Sequence, residues 1–132
     1  MIEPIHTANV NGKPVRFFRS HLDRPDFPWH SANDLSAGGK LSAGTRRSLL
    51  HGLFKDWRHD LKQAVVSGEL TTLAPHFIGK LQAEIIDGFS PGFHRAYIKA
   101  ATAAANVVML GMPDAEQLAY MRAATRNGAG SK

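Results

Sequence analysis

The 132-residue chain contains no cysteine. That excludes disulfides, cysteine-ligated zinc, iron–sulfur clusters and thiol nucleophiles, and it suits a reducing interior. Acidic residues are the scarcer sign: 11 Asp and Glu stand against 16 Lys and Arg, a formal charge of +5 that favours a polyanionic or acidic partner. Long apolar runs are missing too. The longest uncharged stretch, Ala100 to Pro113, is alanine-rich and shorter than the roughly 20 apolar residues that span a bilayer. The opening residues have no basic run ahead of an apolar stretch, and Glu3 is unlike a transit peptide, so a cytoplasmic protein is expected. Glycine and proline, 12 and 7, stay below low-complexity levels, and 43% hydrophobic residues suffice for a core. This length makes one domain.

The usual catalytic signatures are also absent. There is no G-x-S-x-G elbow, no Walker-type glycine loop and no G-x-G-x-x-G after a strand. The serines fall mostly where caps and turns use hydroxyls. The reading is therefore of a protein that is not an enzyme, with no cofactor expected.

Two hairpins are predicted. Ile5 to Val10 and Lys13 to Arg19 flank Asn11-Gly12, a pair suited to a type I′ turn, with Pro14 near the strand start where it gives up no central ladder bond. Leu61 to Val66 and Glu69 to Ala74 flank Ser67-Gly68. Ser20 to Pro28 reads as a loop. Helical signals follow the usual punctuation. A short helix is capped by Ser31, carries Asp34 in its first turn and ends at Gly38-Gly39 in a left-handed cap. A second runs from Ser42 or Thr45 to about Asp60. A third has Pro75 in its first turn and ends at Gly88, a fourth spans Pro91 to Leu110 with Ser90 as cap, and a fifth runs from Asp114 to Arg126. The expected fold is α+β, two short hairpins packed with about five helices in a single domain over residues 1–126, with a flexible tail at 127–132. The alanine-rich fourth helix offers small residues for close contact, as internal core or as the surface of a homodimer.

The excess charge is local. Lys40 to Lys62 holds six bases against two acids, while Glu69 to Arg126 is balanced five against five. On a helical wheel with Arg47 at 0°, His51, Lys55, Arg58 and Lys62 fall at roughly 40°, 80°, 20° and 60°. Leu49, Leu50, Leu53, Phe54, Trp57 and Leu61 form a separate apolar arc, with Asp56 and Asp60 away from the bases. Such a helix can lie along a phosphate backbone, each base releasing counterions, or it can be an ordinary solvated face. Lys40 and Arg46 extend the positive region. Lys13, Arg16 and Arg19 on the first hairpin can add contacts, Arg16 on the opposite strand face from the other two. Phe54 and Trp57, on the apolar arc, belong to the core.

Seven histidines invite a search for ligand spacing. His21, Asp23, His30 and Asp34 lie close in sequence but in loop-like surroundings that fix no geometry, so no metal is expected. His51 and His59 are too far apart on a helix to share one ion. His76 and His94 sit in first turns, where the helix dipole disfavours a charged imidazole, and neither has an evident partner. A hydrolase built on His30 and Asp34 is the one catalytic alternative.

The run Pro28-Trp29-His30-Ser31-Ala32-Asn33-Asp34-Leu35, entered from a hairpin with Asn11-Gly12-Lys13, resembles the BRO amino-terminal domain of phage antirepressors and baculoviral BRO proteins. Thr71 to Phe77 and Ser90 to Tyr97 occupy the places of that family's later strand-to-helix and Phe-bearing segments. The resemblance covers roughly Ile5 to Leu110. It implies an α+β DNA-binding or repressor-interacting module of phage or prophage type. The resulting expectation is a transcriptional regulator contacting double-stranded DNA through Lys40, Arg46, Arg47, Lys55, Arg58 and Lys62. The alternative is an antirepressor or phage inhibitor that binds an acidic protein partner without DNA.

Overall fold

Asn11 and Gly12 take positive φ, 58° and 90°, and Ser67 and Gly68 repeat the pair at 53° and 84°. These are the left-handed positions of a type I′ turn, whose twist matches that of the flanking strands. They close β1 (His6–Val10) on β2 (Lys13–Phe18) and β4 (Lys62–Val66) on β5 (Glu69–Ala74), so both predicted hairpins form. A computed structural model describes residues 2–127. The predicted tail lies outside the described residues except for Asn127, which closes the last helix and donates to the Pro25 carbonyl at 2.6 Å.

Between the hairpins runs a strand that was not expected. β3 (Trp29–Ser31) pairs with both β2 and β5, giving one antiparallel sheet in the order β1-β2-β3-β5-β4. Three residues are too few to show alternation, which hides this strand in the sequence. It stops because Ser31 caps α1 (Ala32–Ala37), accepting from the Asp34 N–H at 3.1 Å. β2 and β5 continue past that point, and side chains of α1 satisfy them. Asn33 Oδ1 accepts from the Thr72 N–H at 2.9 Å, and Asp34 Oδ2 accepts from the Arg16 N–H at 3.0 Å. The first turn of α1 thus stands in for the missing length of β3.

One face of the sheet carries Val15, Phe17, His30 and Ala74 against the helices; the other carries Phe18, Trp29, Ala64, Val66 and Leu73, with Ile2 and Leu22 laid over them. The left-handed residue after α1 is Lys40 (φ 55°), not Gly38 (φ −78°); Gly39 presses on Ile86, where a Cβ would collide. α2 (Ala43–Trp57) stops short of Asp60, because Trp57 leaves helical geometry and Arg58–Asp60 form a 3-10 turn. Pro75 precedes α3 (His76–Asp87) rather than sitting in its first turn. α4 spans Phe93–Met109 and is not capped by Ser90. Gly92 (φ 91°) is its cap residue, and Asp87 accepts from the Gly92 and His94 N–H groups at 2.9 and 3.1 Å. Ser90 Oγ accepts instead from Asn11.

α5 (Asp114–Asn127) is fastened by the Tyr120 hydroxyl, which donates to the Asp26 carbonyl at 2.6 Å. Ala100, Ala101, Ala104 and Ala105 of α4 are buried inside the chain, so that alanine face is internal core rather than a dimer surface. The fold is α+β.

Candidate nucleic-acid interface

α2 has no buried residue. Leu50, Leu53 and Trp57 rest against Ala32, Ala74 and Ile78, and Trp57 meets Phe77 edge-on at 5.6 Å. Leu49, Leu50, Leu53 and Trp57 of the apolar arc therefore face the core as the wheel predicts, while Phe54, expected there too, is half-buried and joins no core cluster; the opposite side of the helix stands in solvent. Arg47, His51 and Lys55, four residues apart, are all exposed there. Together with Ser48 and Gly52 they line a shallow depression on the solvent side of α2. Asp56 lines the same depression, against the expectation that it lies away from the bases; Gly52 carries no side chain to divide the two. The Arg16–Asp34 pair is the one ion pair among the described residues, so none of the α2 bases is paired.

The wheel runs past the end of the helix at Trp57, so its last two bases leave the stripe. Arg58 is exposed but sits in the 3-10 turn, off the helical register. Lys62 is in β4 opposite Leu73, on the sheet face that carries Trp29, and it lies near His21, whose pKa is lowered first by burial and then by Lys62. It does not share the α2 face, because the chain has become a strand there. Arg46 is half-buried on α2, and Lys40 is exposed in the connection just before it.

On the first hairpin Lys13 is exposed beside the turn. Arg16 is committed elsewhere: its Nε and Nη2 donate to both Asp34 oxygens at 2.8 and 3.1 Å, which raises the pKa of the guanidinium further and neutralises it as a phosphate ligand. Arg19 is exposed near Tyr120.

The His30 and Asp34 of the hydrolase alternative do not meet. Asp34 is held by Arg16, and His30 is wholly buried with Nε2 on Gln82 Oε1 at 2.8 Å. Gln82 Nε2 donates to the Ala32 carbonyl and to Ser36 Oγ, so its oxygen faces His30 and the imidazole proton sits on Nε2. Burial then drives His30 down to about 4, against the opposing pull of Gln82. His76, which has no partner evident in the sequence, meets the Tyr97 hydroxyl through Nδ1 at 2.8 Å and is also held down to about 4 by burial. Gly79 makes this cluster fit, since a Cβ there would strike both Tyr97 and His30. Among the described residues no three His, Asp or Glu side chains gather as metal ligands.

These buried contacts join residues as far as 52 positions apart, and no local spacing signals them. No family model matches the chain, and comparison with curated proteins and with solved structures gives no match.

Proposed function

We propose that the chain is a small DNA-binding transcriptional regulator, not an enzyme, that lays the solvent face of α2 on the phosphate backbone of a duplex. One observation carries this reading: Arg47, His51 and Lys55 line the outer side of a helix with no buried residue and no ion pair. At about 1.5 Å per residue these three span roughly 12 Å, over which duplex DNA offers about seven phosphate charges counting both strands. Lys40, Arg46 and Arg58 flank them. The contacts are to phosphate and give position rather than sequence. The resemblance to BRO amino-terminal domains supports the same partner and a phage or prophage setting, and the cysteine-free composition accords with a cytoplasmic site of action.

The test is anisotropy of a labelled duplex between about 50 and 200 mM salt, with wild type and Arg47→Glu/Lys55→Glu, after circular dichroism shows that the variant folds. Wild-type affinity falls with salt, and the double variant flattens the log–log slope by about 2. Absence of wild-type binding at low salt overturns the reading and moves the same face to an acidic protein partner.

A further inference from the structure

Small residues on α4 leave a cavity of about 160 Å³ between that helix, α5, the start of α3 and the Phe27-Pro28 corner. The α4 wall is Ile98, Ala101, Thr102, Ala105, Asn106 and Met109, and larger side chains at Ala101 or Ala105 would close the space. Its volume is close to the roughly 150 Å³ of an engineered cavity that takes benzene, but unlike that sealed space it is partly open to solvent, with exposed Thr102, Asn106 and Met121 in its lining. Met109 and Met121 reach into the lining, and thioethers make favourable contacts with aromatic rings. Phe27 offers a ring that already meets His76 and Tyr120 edge-on, at centroid distances of 5.3 and 6.4 Å.

No charged residue lines the space, so a charged guest would enter unpaired at high cost. The polar groups in the lining are His76, Thr102 and Asn106, and of these only His76 is not solvent-exposed. Its Nδ1 is engaged by Tyr97, whose ring stacks on it with a centroid distance of 5.6 Å, and Nε2 is the ring nitrogen left for another partner. Burial keeps the imidazole neutral near pH 7.

We propose that this cavity binds a small neutral aromatic molecule bearing one hydroxyl, of the phenol class, with its ring among the methionines and its hydroxyl on His76. A hydroxyl both donates and accepts, so it satisfies Nε2 in either tautomer. The cavity shares no residue with α2, and the inference stands apart from the DNA reading.

The test titrates the full chain with phenol, toluene and benzoate, followed by calorimetry and methyl NMR. Phenol binds saturably and shifts the methyl signals of Ala105, Met109 and Met121, while benzoate does not. Ala105→Leu fills the space and weakens phenol by about tenfold or more, with melting at or above the wild-type temperature. His76→Phe weakens phenol more than toluene. The proposal is overturned by no saturable shift up to about 10 mM phenol, by shifts lying elsewhere in the chain, or by equal binding to a folded Ala105→Leu. If Ala105→Leu does not fold, the position of the wild-type methyl shifts decides alone.

Discussion

Arg16 and Arg47 look alike in a list of bases and end in opposite situations. Arg16 is held through Nε and Nη2 by Asp34, while Arg47 stands exposed and unpaired on α2. A charge count sees the residues; the pairing is made across 18 positions by the sheet and was not legible beforehand. Asp34 also accepts a backbone amide, so Asp34→Ala strips a partly buried guanidinium and an N–H at once. Chemical denaturation should show a loss of roughly 1–3 kcal/mol. The two histidines held near 4 set the acid response. Their folded-state values lie below the 6.5 of the unfolded chain, so the unfolded state takes up protons first, stability is full above about 6.5, and it falls as pH drops from there toward 4. The expected loss is on the order of a few kcal/mol, and melting at pH 7 and pH 5 checks it: His76→Phe should show a smaller drop than wild type.

At the scale of elements, what was legible is what local chemistry dictates. Asn11-Gly12 and Ser67-Gly68 specify their turns within two residues, and both hairpins follow. Ser31 and Ser42 are caps by the same local rule, each accepting an amide three residues on. β3 escaped because it is three residues long and its partners come from distant hairpins. The start of α4 was misplaced because Asp87, at the end of the preceding helix, supplies the capping acceptor in place of Ser90. The two serine caps should also differ in weight. Ser31 is buried and shares a 2.8 Å hydrogen bond with Thr71, while Ser42 is exposed. Ser31→Ala is expected to cost about 2 kcal/mol and Ser42→Ala about 0.5–1 kcal/mol, measured by urea titration of both variants.

Over the whole molecule, the two hairpin signals and the five helical segments indicated the α+β class, but the sheet order could not be read, since it depends on which hairpin strands meet β3. The apolar arc of α2 was visible as periodicity and packs on the core through Leu49, Leu50, Leu53 and Trp57, though not through Phe54. The stripe of bases was overextended because a wheel assumes that the helix continues, and the chain turns into a strand at Lys62. No helix among the described residues is long and apolar enough to cross a membrane. Exposed, unpaired bases also stand on α3, α4 and α5 among the described residues, but only α2 sets Arg47, His51 and Lys55 four residues apart along one solvent face. The most direct measurement is amide chemical-shift mapping of the full chain on addition of a short duplex at low salt. The account predicts perturbations concentrated on residues 43–58, with Arg47, His51 and Lys55 among the largest. Shifts centred on the first hairpin or on α5, or no shifts at all, would contradict it.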